Sequence, residues 1–538
     1  MKKTLLFCLL AGYSAGFAQT SLVFVFFKDK PNKAVFYADP LSELSQKSLS
    51  RRTALGIALN DQDAPIEQSY IQNVQTLGFT VTDYSKWLNG VAVNATPAQI
   101  ATLQAQAYVQ SVESFAKNTS GIPKYKNVNK WETVADGSGS ANKTLTTFDY
   151  GSGSGQIDQV NIRPLHLAGY TGTGVTVAVI DAGFPYVDTG SAFSRLWTNG
   201  HIKGGYDFVT KGTDIYNTSI SNHGSVVLGA IGGYIQGTFV GAAPDADFYL
   251  YRSENAAVEI PEEELYWIEA AEEADRKGVD LITTSLGYAT FDDPKYNYTY
   301  ANLNGTTSFI ARGAEIAVSK GIFTLFAAGN SGAQPWHYIL TPADNAKVFT
   351  IGSVDAAGAS SDFSSYGPNA SGVIKPDAST RGSNATSVNN SSTVQVNGTS
   401  IATPIATGGV ACLLQAFSTM NRDAMRDRLR QTASLYPNHT NQMGYGILNF
   451  GSFYNTVLNT SETVQVKQLS IFPNPVKDIL NIATEKEVLS VELYDNLGRL
   501  VMKIDHQKSV KVGDFPKGVY YLKILTKDKI FYEKIIKE

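Results

Sequence analysis

The feature that most constrains the fold is a set of short, uninterrupted apolar runs between residues 156 and 455. Val175–Ile180, Phe248–Tyr251, Leu281–Ser285, Phe323–Ala328 and Val348–Ile351 are rich in β-branched and aromatic residues, and helical stretches such as Glu262–Lys277 and Ser308–Lys320 separate several of them. A strand that is apolar at every position, not at every second one, must be covered on both faces. Such strands alternating with helices predict an α/β domain with a largely parallel sheet flanked by helices.

At 538 residues the chain has room for more than this one domain. Lys2 and Lys3, the apolar run Leu5–Ala11 and the small residues Gly16-Phe17-Ala18 read as a signal peptide over residues 1–18. That run is too short to span a bilayer, and no later stretch reaches the expected spanning length. Residues 19–120 open with the strand-like run Ser21–Phe27. They go on to a helix start at Thr96-Pro97 and a helix over Ala98–Gln106, followed by a strand at Tyr108–Val112, which predicts a small α+β domain. Residues 121–155 hold Asp136–Ser140 and Gly151–Gly155, with the Gly/Ser composition of a flexible linker open to proteolysis. After a polar linker at 456–467, residues 468–538 carry short alternating runs with turn residues between them and no helical period, which predicts a β-sandwich.

A net charge of −4, with no long like-charged block, argues against a nucleic-acid partner. Of the two cysteines, Cys8 lies in the signal segment, so the processed chain keeps Cys412 and has no internal disulfide. Cys412 lies within Val410–Leu414 and reads as a buried small hydrophobe.

Three segments carry chemistry. Val177–Gly183 is an apolar strand ending in Asp181, and ligands of parallel sheets gather at such ends. Asn222-His223-Gly224-Ser225 puts a histidine at the head of a small, apolar helix; the other five histidines have no comparable setting. Asn397–Pro404 puts Ser400 in the first turn of a helix, where unpaired amides favour developing negative charge. Each segment alone also fits a turn former, a packing histidine or a capping serine.

In the order Asp, His, Ser these segments resemble the subtilase family, and Ala327–Gly332 resembles the segment in which that family carries its oxyanion asparagine. Thr284–Tyr288 resembles its substrate-binding strand and Gly241–Ala246 its turn into the next strand. The resemblance implies a subtilisin-like catalytic domain at 156–455 with Asp181, His223 and Ser400 as the triad. It also implies Asn330 and the Ser400 amide as oxyanion donors, and Ser285, Leu286, Gly287, Ala327, Ala328 and Gly329 as the substrate-binding walls. Their small, apolar character suggests acceptance of bulky apolar residues. Three positions depart from the family pattern: Ala182 lacks the usual hydroxyl beside the aspartate, Ser225 replaces threonine, and Ile401 replaces methionine.

The flanks resemble family companions. Residues 19–120 look like an inhibitory prodomain, and Ile471–Pro475, Tyr494–Gly498 and Gly518–Leu522 look like marks of a type IX secretion sorting domain. The expected partners are protein or peptide substrates, the chain's own prodomain and the type IX machinery, with export to the exterior or the outer surface. No cofactor is required. Asp292 and Asp293 could offer oxygen to a structural Ca²⁺, but without ligand-loop spacing they read as solvated acids. Two other classes remain open: a catalytically impaired binding protein on the same scaffold, and a binding sandwich at the C-terminus.

Overall fold

Seven parallel strands form the central sheet, in the order Ala378–Arg381, Phe349–Val354, Phe323–Ala327, Leu281–Thr284, Thr176–Asp181, Asp247–Arg252, Ile202–Asp207. Every residue of Thr176–Asp181 and Leu281–Thr284 is buried, as uninterrupted apolar runs require. The two edge strands fall outside those runs: Ile202–Asp207 carries two glycines, and Ala378–Arg381 is short and polar. The computed structural model describes residues 19–117, 132–134, 148–463, 469–484, 486–495, 499–527 and 530–538. The expected signal segment, Asp136–Ser140 and residues 496–498 of the Tyr494–Gly498 mark lie outside them.

The chain divides into two compact units, residues 1–454 and 455–538. In the first, an N-terminal sheet of order Asp83–Ser85, Gly90–Ala95, Ser21–Phe27, Val109–Ser114 is antiparallel throughout. The helix predicted after Thr96 spans Pro97–Gln104 and has a full capping box between Thr96 and Gln99. Strand Ser21–Phe27 is apolar on both faces because both are covered. Val23, Val25 and Phe27 join a core with Ile71, Val74 and Leu103, while Leu22 and Phe24 join the core of the larger domain. Phe115 stacks on Phe309 with ring centroids 3.9 Å apart.

Polar contacts also join these parts, several of them along helix Glu262–Lys277. Glu272 accepts hydrogen bonds from the Ser85 hydroxyl at 2.5 Å, the Trp87 amide at 3.0 Å and the Lys86 amide at 3.2 Å. One turn on, Asp275 pairs with both Arg51 and Arg52.

Three expectations change. Gly151–Gly155 is packed: Gly151 bridges Phe239, and a Cβ on it would meet the Thr238 carbonyl oxygen at 2.0 Å, so glycine serves close approach there. The polar stretch read as a linker from residue 456 continues helix Phe450–Thr463, whose Phe450, Phe453 and Val457 are buried at helical spacing. Helix Thr399–Ala416 is long and apolar enough to cross a bilayer, yet every residue from Thr399 to Leu414 is buried in the protein, which makes it a core helix.

In the second unit, a three-stranded and a four-stranded antiparallel sheet enclose a core that includes Leu480, Val491, Leu522 and Ile535. Burial alternates along Ile479–Ala483 and Gly518–Thr526, as sheets with one wet face require.

Candidate active site

Asp181 is the last residue of Thr176–Asp181, an interior strand that pairs with strands on both sides, at the carboxyl edge of the sheet, and it is fully buried. His223 is the first residue of helix His223–Gly232. That helix can approach the strand end because position 224 is glycine: a Cβ there would meet the Gly183 carbonyl oxygen at 2.5 Å and the Asp181 Cβ at 3.0 Å. Ser225 fastens the same turn by donating to the Pro185 carbonyl at 2.6 Å, so the hydroxyl kept at this position is in use. His223 Nδ1 lies 2.6 Å from Asp181 Oδ1.

The missing hydroxyl at position 182 has a backbone substitute. The Ala182 amide donates to Asp181 Oδ1 at 2.7 Å, while Oδ2 makes no hydrogen bond. One carboxylate oxygen therefore carries both the histidine and the amide. The orientation of Asp181, which the sequence leaves to an unnamed partner, comes from its own following peptide.

Ser400 lies in the first turn of Thr399–Ala416, which packs beside the histidine helix. Its surroundings follow from Pro404. Proline has no N–H for the carbonyl four residues back, which is that of Ser400. The Ser285 hydroxyl fills the gap, donating to the Ser400 carbonyl at 2.9 Å. A second tie runs through Thr399, whose amide and hydroxyl both donate to Asn330 Oδ1 at 2.9 Å. The same hydroxyl accepts from the Gly329 amide at 3.1 Å. With its oxygen committed twice, the Asn330 side chain has a fixed orientation and its amide nitrogen is the donor end. Ile401, the third departure from the family pattern, is buried.

The two walls expected to bind substrate, Ser285–Gly287 and Ala327–Gly329, follow adjacent parallel strands. Leu340 stands between them: a Cβ on Gly287 would meet Leu340 Cβ at 2.9 Å, and one on Gly329 would meet Leu340 Cγ at 2.7 Å. The sequence offers Thr399 or its neighbour as a helix cap, but its hydroxyl is spent on Asn330 instead; Thr399, Pro404 and Leu340 take their roles from distant residues. Their signal is the partner each meets across the fold, which no local pattern contains.

The remaining candidates lie elsewhere. Asp292 accepts from the Glu259 amide, and Asp293 caps a short turn and pairs with Lys295; both are exposed. Among the described residues no group of three or more His, Cys, Asp or Glu side chains is placed to hold a metal ion. Cys412 is buried with its sulfur 3.6 Å from His166 Nε2, and His166 Nδ1 lies 2.6 Å from the Tyr150 hydroxyl. Burial raises the Cys412 thiol and lowers His166 to about 4, which keeps both neutral.

Residues 172–446 match the Subtilase family. The chain belongs to that family. It is a serine peptidase with a propeptide, since residues 22–132 match the Peptidase S8 propeptide domain of Bacteroidota. Residues 470–538 match the secretion system C-terminal sorting domain. Subtilisin NAT of Bacillus subtilis subsp. natto is 30% identical over 300 residues, covering 54% of this chain and 69% of that one. Serine protease AprX of Bacillus subtilis is 30% identical over 311 residues, covering 52% and 66%. Fervidolysin of Fervidobacterium pennivorans, described as a keratinolytic enzyme related to subtilisin, shares the fold with a TM-score of 0.55 at 16% identity, covering 95% of this chain and 71% of that one. The epidermin leader peptide processing protease of Staphylococcus aureus aligns with a TM-score of 0.54 at 16% identity, covering 82% and 99%.

Proposed function

We propose that the chain is the self-processed zymogen of an exported endopeptidase, with Ser400 as nucleophile, His223 as general base and Asp181 as the group that orients the imidazole. The observation that carries this reading is the 2.6 Å contact between His223 Nδ1 and the buried Asp181 Oδ1. It aims Nε2 as the base and stabilises the imidazolium that forms when Ser400 gives up its proton. Attack by Ser400 Oγ on a peptide carbonyl makes an oxyanion, which the Asn330 amide and the Ser400 N–H stabilise. Collapse expels the amine, protonated by His223, and leaves an acyl-enzyme for water to hydrolyse.

Leu340 between Gly287 and Gly329 favours short side chains next to the scissile bond, against the bulky apolar residues that the wall composition suggested. The N-terminal domain acts as an intramolecular inhibitor, a role supported by the core it shares with the peptidase domain. The C-terminal domain directs type IX export, with release or surface attachment to follow.

The full-length chain and Ser400→Ala test the reading, followed for prosegment loss, casein hydrolysis and fluorophosphonate labelling. The wild type is expected to process, cleave and label. The variant should lose about 10⁶ in turnover, the fall known for the nucleophile of subtilisin. Equal processing and hydrolysis by both forms rejects Ser400; a wild type that neither labels nor cleaves favours a binding protein on this scaffold.

A further inference from the structure

Where the N-terminal domain meets the edge of the central sheet there is a cleft of about 910 Å³. That is the upper end of the range, roughly 300–1,000 Å³, in which proteins hold ligands. Alternation along Asp247–Arg252 sends Phe248 and Leu250 to one face of the sheet and Tyr249 and Tyr251 to the other. Phe248 meets the histidine helix, where a Cβ on Gly232 would lie 2.9 Å from its ring. The tyrosines therefore line the cleft on the face opposite that helix.

Its floor is aromatic. The rings of Tyr249 and Tyr251 are parallel to within 4°, with centroids 6.1 Å apart, and Phe208 stands edge-on to Tyr251. The neighbouring edge strand leaves this floor open, because the residue paired with Tyr249 is Gly204, which puts no side chain beside the ring. Pro65 and Tyr84, both exposed, add a wall from the N-terminal domain.

The charges of the cleft are already spent. Glu272 holds the donors of Ser85, Lys86 and Trp87, Glu269 holds Lys211 and the Tyr84 amide, and Glu273 holds Arg276 and Lys277. Lys86 also pairs with Glu43 at 3.7 Å, and Lys203 with Asp247 at 3.2 Å. Among the described residues, every charged side chain that lines the cleft is paired in this way, so it calls for neither a cation nor an anion. What it offers is a donor. Tyr251 is 1% exposed, and its buried hydroxyl has no hydrogen-bond partner. Buried hydroxyls are nearly always paired, so this one points to an acceptor that a ligand brings.

Such a ligand is uncharged, apolar enough to lie on aromatic rings, rich in acceptors and poor in donors. A proline-rich polypeptide meets all four conditions. Its polyproline II backbone leaves the carbonyls unbonded, its prolines carry no N–H, and aromatic-lined grooves hold such segments. A neutral sugar brings donors as well as acceptors and finds the carboxylates occupied. We infer that the cleft is a docking groove for a proline-rich segment of a partner protein, packed on Tyr249 and hydrogen-bonded through one carbonyl to the Tyr251 hydroxyl. Because Pro65 and Tyr84 belong to the N-terminal domain, the groove is complete only while that domain is docked, and a bound segment stabilises the docked state. The inference does not depend on the peptidase reading.

Full-length Ser400→Ala titrated with fluorescein-labelled decaproline, read by anisotropy, tests it. Saturable binding is expected, about tenfold or more tighter than for a flexible Gly/Ser decapeptide that must pay the ordering entropy. Tyr249→Ala and Tyr84→Ala should each weaken it about tenfold, as loss of an aromatic anchor does. Tyr251→Phe should weaken it about three- to tenfold, the worth of one hydrogen bond, with the unfolding midpoint unchanged or raised because an unpaired buried hydroxyl is gone. A purely structural role for Tyr251 would not separate binding from stability in that direction. No saturation by about 1 mM, equal binding of the Gly/Ser peptide, or affinity unmoved by Tyr249→Ala and Tyr251→Phe overturns the groove. Binding of cellohexaose in place of decaproline overturns the polypeptide class, and indifference to Tyr84→Ala overturns the shared wall.

Discussion

Two clusters of buried charge lie in the same folded unit, equally dry and differently satisfied. Asp275 gives both oxygens to guanidinium groups of Arg51 and Arg52, and Asp63 takes Arg52, Lys320 and the Asn60 amide. Asp181 places the histidine and one amide on a single oxygen and leaves the other without a hydrogen bond. A carboxylate saturated by permanent cations is a fixture, and its arginines hold it below the ordinary carboxylate range despite burial. On the proposed reading, one with an uncommitted oxygen beside a histidine keeps its electrostatic capacity for a charge that appears later. Burial alone does not separate a fastening from the reaction centre proposed for Asp181; the state of satisfaction does.

The largest break in this comparison should come from Asp181→Asn. It keeps the shape, upsets the imidazole tautomer and should lower kcat on a peptide substrate by about 10⁴, the fall known for this change in a serine protease triad, with the unfolding midpoint little changed. Asp275→Ala should do the reverse. Stripping the partner from two buried arginines should cost about 3–5 kcal/mol, read in denaturant unfolding of the full-length Ser400→Ala protein, with no effect on the chemistry of the mature enzyme. Asn330→Ala should reduce turnover by about 10²–10³, the range known for the equivalent asparagine of subtilisin, with little change in KM.

The smallest effect concerns pH. Burial raises Glu269, which accepts from the Tyr84 amide, to about 7; Lys211 opposes the shift and Asp83 adds to it. An acid whose value is raised in the assembled protein is bound there preferentially in its protonated form. Its contribution is fully present below the ordinary glutamate range and is lost as pH rises through about 7. Melting of full-length Ser400→Ala should fall across that window, and Glu269→Gln should flatten the dependence.

The strands buried on both faces were legible because a parallel sheet writes its burial directly into composition. The edge strands Ile202–Asp207 and Ala378–Arg381 were not, because an edge needs fewer apolar residues. The glycines at 151–155 read as flexibility because composition cannot distinguish a mobile glycine from one pressed against a neighbouring backbone. At the site, Asp181, His223, Asn330 and Ser400 stood out through their order and neighbours. The Ala182 amide could not, since every residue but proline carries one and only the local turn aims it. The proline at 404 was visible as a residue; its consequence depended on a hydroxyl from another strand.

That hydroxyl has a wider consequence. On the proposed reading, Ser285 both follows a substrate-wall strand and completes the bonding of the Ser400 carbonyl, so pocket width and nucleophile position would not be independent variables. A change that widens that wall by shifting its backbone would then also perturb Ser400. Selection for new cleavage preferences is thereby channelled toward positions outside this link, among which Leu340 stands first.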